Sequence, residues 1–247
     1  VGLFVSSLLV QIGKERFAKE TSQLVHFVDD DKANSILNDI ENYPHAYVLA
    51  CLMDRQIKAE RAWMIPFEIY KEIGSFNFDE LEKLDLIDLN EIFNRKKLHR
   101  FNNTMPGIFH RALIDIRQKY NGNASKIWTN NPSSAAVVYR FLEFKGSGVK
   151  ISTMAVNILA RQFRVPFSDN YSIDISPDVH IIRVMKRMGF VPKNANNDMV
   201  IYKARELNPE FPGIIDFSCW EIGRKWCRPK NPICSECIVE NDCSKII

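Results

Sequence analysis

Four of the six cysteines in this 247-residue sequence lie within 17 residues close to its C-terminal end. They are separated by six, two and five residues, and they are Cys227, Cys234, Cys237 and Cys243. Four thiolates brought together by one short loop can hold a zinc ion or an iron–sulfur cluster. Zinc sites more often use two Cys-x-x-Cys pairs, and here only Cys234 and Cys237 form such a pair. A disulfide framework would usually spread its cysteines along the chain, so the spacing predicts a metal site.

A glycine-rich turn is the second feature whose residues suggest chemistry. The sequence from Phe144 to Thr153 reads FKGSGVKIST and lies between two predicted helices. Because glycine has no side chain, the backbone N–H groups around Gly146 and Gly148 can approach a phosphate oxygen closely. The segment therefore predicts a helix-hairpin-helix, although most glycine turns between helices only connect them.

An aspartate near a helix start is the third feature. Ser176 precedes Pro177, and this pair predicts the beginning of a helix, because a hydroxyl can cap free N–H groups and proline is tolerated where no N–H is needed. Asp178 then falls in the first turn. The helix dipole favours an acidic residue there, whether or not that residue takes part in chemistry.

The elements that must position these residues are predicted to be helices. Apolar residues recur at three- and four-residue spacing through most of the chain, and few segments alternate as half-buried strands do, which predicts an all-α fold. Gly74, Gly122 and Gly189 follow periodic runs and predict helix ends. The predicted helices span residues 5–19, 31–42, 44–55, 59–73 with a break at Pro66, 78–84, 88–95, 104–120, 132–144, 148–163, 176–188, 196–207 and 213–226.

Composition narrows the functional classes. A hydrophobic fraction of 46% can fill a substantial core, so the chain is predicted to be globular. The formal net charge of +3, from 33 basic and 30 acidic residues, is too small to indicate nucleic-acid binding, so any basic surface must be local. The apolar run from Val1 to Val10 is too short for a membrane span and has no basic leader. We interpret it as a buried helix start in an intracellular protein of the cytoplasm, nucleoid or nucleus.

These motifs together resemble those of the endonuclease III family of DNA glycosylases. The cysteine spacing is similar to the cluster loop of endonuclease III and its adenine-glycosylase relatives. The hairpin is similar to the family's LPGVGRK motif, with Lys145 in the place of the usual proline and Lys150 at the lysine that ends the motif. Asp178 opens a segment similar to the family's VDTH. The resemblance covers approximately residues 44–243.

The resemblance implies two helical lobes with a DNA cleft between them. A six-helix barrel would span residues 45–165 and contain the helix-hairpin-helix. The second lobe would join residues 1–44 to residues 166–247 and hold a 4Fe–4S iron–sulfur cluster in its loop at residues 227–243. Within that loop Arg228 and Lys230 would meet DNA phosphate, with a solvated charged loop as the alternative.

The family's catalytic residues fall on Lys150 and Asp178. The resemblance implies that the amine of Lys150 attacks C1′ of a deoxyribose and displaces the damaged base, whereas in the alternative it only contacts phosphate or solvent. An attacking amine must be neutral, which requires a partly desolvated site or neighbouring cations. Asp178 would stabilise positive charge on the sugar or take a proton from the nucleophile. Because the interval between the two is longer than in endonuclease III, Asp174 is a reserve candidate, and the added stretch at residues 164–175 could line the base pocket.

Extrusion of a nucleotide from a duplex leaves a gap that a side chain must fill. The segment Leu49–Gln56 resembles the family segment that inserts a glutamine, and this points to Gln56. Strict alignment of the leucines would select Met53 instead, and an exposed glutamine at a helix end is the plainer alternative. At the hairpin, Lys145 would contact phosphate beside the two glycines.

The implied partner is double-stranded DNA with a damaged base or an abasic site, bound by a monomer with no membrane role. The leading function is that of a bifunctional glycosylase with AP lyase activity. The alternatives are a monofunctional glycosylase that uses water activated by Asp178, and a non-catalytic, metal-stabilised DNA-binding protein. The excised base stays open among oxidised pyrimidines, uracil or thymine mispairs, alkylated purines and oxidised guanine.

Overall fold

The computed structural model describes residues 2–18 and 24–246, and within these ranges the chain forms helices and no strand, which confirms the all-α prediction. The α-helices of the described residues are α1 (Gly2–Ala18), α2 (Asp31–Asn38), α3 (Pro44–Met53), α4 (Ala59–Ile73), α5 (Phe78–Leu81), α6 (Leu86–Lys96), α7 (Met105–Tyr120), α8 (Ser134–Leu142), α9 (Val149–Arg161), α10 (Val179–Arg187), α11 (Asn197–Leu207) and α12 (Asp216–Lys225). Short 3-10 turns occupy Ala124–Ile127, Pro212–Ile215, Cys234–Glu236 and Glu240–Asp242. None of the described helices is both long and apolar enough to cross a membrane.

The helices pack mainly in two groups. Helices α2 to α9 pack on one another, chiefly in the pairs α3–α4, α8–α9 and α6–α7. Helix α1 packs on α12 and on the turn Pro212–Ile215, and α10 packs on α12. Cys219 is fully buried in α12, as its apolar context predicts. The division into a lobe of residues 45–165 and a lobe of residues 1–44 and 166–247 stays a prediction.

Helix α3 lies at the centre of the first group. All of its residues are buried, as expected for a helix that is apolar all round. It packs against α2, α4, α7 and α9, and the hydroxyl of Tyr47 donates a hydrogen bond to the carbonyl of Ala155 on α9 at 2.6 Å. Cys51 is fully buried on this helix. The packing fixes the C-terminal end of α3, where Asp54 is the cap residue.

The predicted break at Pro66 is wrong, because α4 spans Ala59–Ile73 without interruption. Proline removes one backbone hydrogen bond and crowds the preceding turn. Pro66 and its neighbours Ile65 and Phe67 are buried, and the burial of apolar surface offsets the lost hydrogen bond. The helix ends at Gly74, whose φ of 72° is left-handed, as predicted.

The predicted helix start at Ser176 is also wrong. Helix α10 begins after Asp178, whose Oδ1 accepts hydrogen bonds from the N–H groups of His180 and Ile181, both at 2.8 Å. One carboxylate oxygen thus satisfies two free N–H groups, which makes Asp178 the cap. Ser176 is buried instead, and its N–H donates to Oδ1 of Asp216 at 2.5 Å.

The other two glycines that predict helix ends, Gly189 and Gly122, each come shortly after a helix. Gly189, with a φ of 79°, comes just after α10. After α7 the left-handed cap is Asn121, and Gly122, with a φ of 76°, follows it. The predicted end of the first helix at Lys19 lies outside the described residues.

Candidate active site

The glycine turn forms a hairpin between α8 and α9. The N–H of Ser147 donates to the carbonyl of Phe144 at 3.0 Å, and Gly146 has a left-handed φ of 89°. Gly148 has extended backbone and precedes α9, and no side chain of the described residues caps that helix. The first N–H groups of α9 therefore stay available to an outside acceptor such as phosphate. Lys145, in the place of the family's proline, is exposed and does not prevent the turn.

Replacement of the two glycines by alanine should affect stability differently. A Cβ on Gly146 would lie 3.0 Å from Cδ1 of Ile108 and 3.1 Å from a guanidinium nitrogen of Arg55, and the left-handed backbone adds about 1–2 kcal/mol of strain. A Cβ on Gly148 would meet no atom within 4 Å. In urea unfolding we expect Gly146→Ala to lower the free energy of unfolding by about 1–3 kcal/mol, and Gly148→Ala to change it by less than about 0.5 kcal/mol. Equal losses in the two variants would contradict this difference.

Lys150 is the second residue of α9, and its Nζ lies 3.1 Å from Oδ2 of Asp54. The side chain of Lys150 is 35% exposed and that of Asp54 is 9% exposed. The sequence predicts partial desolvation or neighbouring cations around this amine. The structure instead places a carboxylate beside it. Sequence reasoning missed Asp54, because 96 residues separate the two partners and no spacing pattern joins them.

Of the two candidate carboxylates, Asp174 is engaged elsewhere. Arg205 donates from Nε to Oδ1 of Asp174 at 2.7 Å and from Nη2 to Oδ2 at 2.8 Å, and Asp174 is buried. Asp178 is partly exposed at the start of α10. The geometry favours Asp178 over Asp174. His180 accepts a hydrogen bond at Nδ1 from Arg183 at 3.0 Å.

Hydrogen bonds tie the helix that carries Lys150 to the segment that carries Asp178. Asn157, two turns after Lys150 on α9, donates from Nδ2 to the carbonyl of Gly213 at 2.9 Å. Gly213 donates its N–H to the carbonyl of Ile173 at 2.6 Å, in the segment that leads to Asp178. A Cβ on Gly213 would lie only 2.4 Å from the Asn157 amide, so glycine permits this approach. That the two side chains meet at one nucleotide stays a prediction.

The longer connection at residues 164–175 is anchored to α8. Asp169 accepts a hydrogen bond from the hydroxyl of Ser134, the first residue of α8. Ile173 is fully buried, whereas Tyr171 is exposed. The connection is therefore held in place along its length, and its contribution to a base pocket stays a prediction.

Gln56 lies exposed in the loop between α3 and α4, with a left-handed φ of 54°. This conformation is uncommon outside glycine, and such strained residues cluster at functional sites. The Gln56 carbonyl accepts a hydrogen bond from Nη1 of Arg100 at 3.1 Å. Met53, which the alternative alignment selects, is fully buried in α3. Of the two, only Gln56 is exposed, and its insertion into DNA stays a prediction.

Two arginines extend the positive charge around this loop, and sequence reasoning missed both. A guanidinium nitrogen of Arg55 lies 3.1 Å from the position that a Cβ on Gly146 would take, so this side chain rests against the hairpin. The guanidinium of Arg100 lies 4.9 Å from the ring centre of Phe101. Arg55 lies in the loop after α3 and Arg100 in the loop before α7, so no spacing pattern in the sequence connects them. Positive charge beside the hairpin suits contact with a DNA backbone.

The C-terminal cysteines follow α12 in a loop that contains two short turns. Cys234 begins the first turn and Cys237 ends it, whereas Cys243 follows the second turn. None of these four cysteines forms a disulfide. Burial raises the pKa of the Cys237 thiol, and the other three sulfur atoms raise it further.

Arg187 holds the two ends of the cysteine loop. Its Nη1 donates to Sγ of Cys227 at 3.6 Å, and its carbonyl accepts from Sγ of Cys243 at 3.9 Å. The same guanidinium donates to the carbonyls of Arg228 at 2.6 Å and Pro229 at 3.0 Å. One residue of α10 thus fixes both the sulfur atoms and the backbone between them.

Among the described residues, no group of three or more His, Cys, Asp or Glu side chains is arranged to hold a single metal ion. The donors that the loop offers are four cysteine sulfur atoms, with no imidazole or carboxylate in the predicted set. Four sulfur donors suit zinc or an iron–sulfur cluster.

The predicted basic residues lie on the surface of this loop. Arg228 and Lys230 are exposed between the first two cysteines. Arg183 supports the loop by donating from Nε to the carbonyl of Cys227 at 2.6 Å. The loop is therefore held rigidly with both cations directed outward from the core, and their contact with DNA stays a prediction.

Comparisons with known proteins agree with the sequence resemblance. No protein-family model matches the chain. The chain is 24% identical over 209 residues to the endonuclease III of Thermotoga maritima, with 83% of this chain and 85% of that protein covered. Its structure resembles a trapped covalent intermediate of endonuclease III with DNA at a TM-score of 0.66 and 16% identity, with 99% of this chain and 96% of that chain covered. It also resembles a thermostable thymine-DNA glycosylase at a TM-score of 0.64 and 13% identity, with 97% and 95% covered. These likenesses confirm the endonuclease III-like fold.

Proposed function

We propose that this endonuclease III-like chain is a base-excision repair enzyme, a DNA N-glycosylase with AP lyase activity that acts through Lys150. The placement of Lys150 carries the proposal. Its amine stands in the first turn of α9, directly after an uncapped glycine hairpin, and is paired with the nearly buried carboxylate of Asp54. Because Asp54 is only 9% exposed, the ion pair holds Nζ of Lys150 at a fixed place beside the hairpin, where phosphate would bind.

The proposed reaction uses the amine of Lys150 as the nucleophile. Nζ bonds to C1′ of an extruded deoxyribose, the C1′–N glycosidic bond breaks, and its electron pair leaves with the base, which takes a proton from water. Opening of the sugar ring gives a Schiff base between Nζ and C1′, and β-elimination then cuts the strand on the 3′ side. Asp178 supports the first step, because a fixed anion stabilises the positive charge that develops on the sugar.

Three surfaces would bind duplex DNA. The hairpin would bind phosphate through the N–H groups of α9 and through Lys145. Arg228 and Lys230 would bind a second phosphate, and Gln56 would fill the gap left by the extruded nucleotide. We expect the protein to act as a monomer on DNA inside the cell.

We assign a 4Fe–4S cluster to the four C-terminal cysteines. The all-sulfur donor set supports this assignment, and so do the hydrogen bonds to sulfur from Arg187 and from the N–H of Lys245, which lies 3.4 Å from Sγ of Cys243. A bound cluster would fix the loop that carries Arg228 and Lys230. We expect purified protein to absorb broadly in the visible range, and Cys237→Ser to lose this absorption and to bind duplex DNA more weakly. A colourless protein with stoichiometric zinc would contradict the assignment.

A panel of lesion-bearing duplexes tests the proposed function. The duplexes carry oxidised pyrimidines, uracil or thymine mispairs, alkylated purines, oxidised guanine or an abasic site, with and without borohydride. We expect release of one class of base, strand cleavage and a borohydride-trapped adduct. Base release without an adduct would indicate a monofunctional enzyme with water activated by Asp178. Binding of abasic DNA with neither release nor cleavage would indicate a non-catalytic DNA-binding protein.

A further inference from the structure

The carboxylate of Asp54, which lies beside Lys150, has no role in the proposed reaction. Asp54 caps the C-terminal end of α3, its side chain is 9% exposed, and its Oδ2 lies 3.1 Å from Nζ of Lys150. Removal of a carboxylate from water is costly unless a partner compensates it, and Lys150 is such a partner. The pair joins two helices of the first group that are distant in sequence.

An ion pair of this kind opposes attack by the amine. A carboxylate within hydrogen-bonding distance stabilises an ammonium group, and an ammonium group has no lone pair. Lys150 must therefore lose a proton before Nζ can bond to C1′. Oδ2 of Asp54 is the acceptor toward which a proton of Nζ already points.

We propose that Asp54 is the proton acceptor of Lys150, an inference that rests on the proposed lyase function. When DNA covers the pair and excludes water, the neutral amine and neutral carboxylic acid become more favourable than the ammonium and carboxylate ions. The proton then passes from Nζ to Oδ2. The freed lone pair forms the N–C1′ bond as the glycosidic bond breaks. Asp54 then returns its proton to water.

This assignment separates the two carboxylates. The sequence leaves Asp178 with two roles, charge stabilisation and proton acceptance. Oδ1 of Asp178 accepts two backbone N–H bonds, which hold the group rigidly at the start of α10 and suit it to charge stabilisation. Asp54, which contacts Nζ itself, takes the second role.

The other ionisable groups around the pair lie on α3, on the loop before α7, on the loop after α3, on the end of α8 and on the hairpin. Tyr47 and Cys51 on α3 are fully buried, and burial raises the pKa of both. His99, from the loop before α7, bonds through Nε2 to the carbonyl of Met53 at 3.1 Å, and burial lowers its pKa. The charged residues on the neighbouring loop, on the end of α8 and on the hairpin are Arg55, Lys58, Arg140, Glu143 and Lys145. A pH dependence that changes on substitution of Asp54 alone therefore reports on the Asp54–Lys150 pair.

Single-turnover borohydride trapping on an abasic duplex tests the inference. We expect Asp54→Asn to slow adduct formation about 100-fold at neutral pH. Its rate should rise about tenfold per pH unit in alkaline solution, because hydroxide must then remove the proton, whereas the wild-type rate should be nearly flat. A carboxylate that only stabilised the ammonium group would have the opposite effect, since its removal would free the amine. Unchanged or faster trapping in Asp54→Asn overturns the inference.

Two further variants serve as controls. Glu143→Gln removes one negative charge beside the same hairpin, but Glu143 pairs with Lys119 at 3.1 Å and not with Lys150, so it should trap at the wild-type rate. Asp54→Glu retains a carboxylate and should recover part of the rate together with the flat pH profile. A slow and steep profile in Glu143→Gln as well would overturn the inference, because the effect would then be one of surface charge.

A failure of the variant to fold, and a failure of the proposed function, can each be told apart from a failure of the role proposed for Asp54. If Asp54→Asn does not fold, Asp54→Ser with added formate replaces it. A trapping rate that rises with formate concentration supports the inference, and a rate independent of formate overturns it. If the wild-type protein gives no adduct, or if Lys150→Ala gives the adduct at the wild-type rate, the proposed function fails and the role of Asp54 fails with it.

Discussion

Lys150→Ala should lower the rate of adduct trapping on an abasic duplex by about 1,000-fold or more. In the proposed reaction the substitution removes the atom that bonds to C1′, and water cannot form a reducible Schiff base in its place. Duplex affinity should fall much less, because binding is spread over the hairpin, the cysteine loop and the Gln56 loop. Gel analysis of the trapped species and fluorescence anisotropy of a labelled duplex measure the two effects separately.

Two matched variants separate the nucleophile from its charge. Lys145→Ala removes a cation from the same hairpin and should weaken binding, most at low salt, and make the affinity less dependent on salt, while bound complexes still form the adduct. Lys150→Arg retains a cation opposite Asp54 but has no nucleophilic amine, so it should trap as poorly as Lys150→Ala. If Lys150→Arg traps normally, the Schiff base belongs to another amine, and Lys145 is the first candidate.

Asp178→Asn should lower single-turnover base release by about 100-fold to 10,000-fold with little loss of stability. Asparagine caps helices as well as aspartate does, so its Oδ1 can still accept from the N–H groups of His180 and Ile181. The free energy of unfolding should therefore change by less than about 1 kcal/mol. What the variant loses is the negative charge that, in the proposed reaction, stabilises the sugar. Base release from a lesion-bearing duplex and urea unfolding give the comparison.

Asp174→Asn should show the reverse pattern. Asp174 is buried and both of its oxygens accept from Arg205, so the substitution should cost about 1–3 kcal/mol of stability. Base release by the folded fraction should stay close to that of the wild type. Full activity in Asp178→Asn would leave its carboxylate with the role of a helix cap alone. Lost activity in folded Asp174→Asn would move the catalytic assignment to Asp174.

The amino-acid sequence alone was sufficient to predict the local elements of this protein. The hairpin could be located because Gly146 adopts a left-handed backbone that favours glycine. The cysteine spacing predicts a metal loop without knowledge of the fold, and this stays a prediction. The bounds of α3 and α9 were predicted to within two residues, since apolar periodicity is a short-range signal. The local errors at Pro66 and Ser176 arose where burial and a competing cap outweighed the preference of a single residue.

Only the tertiary structure decided which groups meet. Asp54 and Lys150 are each unremarkable within their own segments, and they form a pair because α3 packs against α9. The sequence leaves open the choice between Asp174 and Asp178, and the hydrogen bond from Arg205 to Asp174 favours Asp178. It also leaves open the choice between Met53 and Gln56, and the burial of Met53 favours Gln56. The physical reason is that helix periodicity, turns and metal-loop spacing act between neighbours along the chain, whereas charge pairing and burial act through space between distant segments.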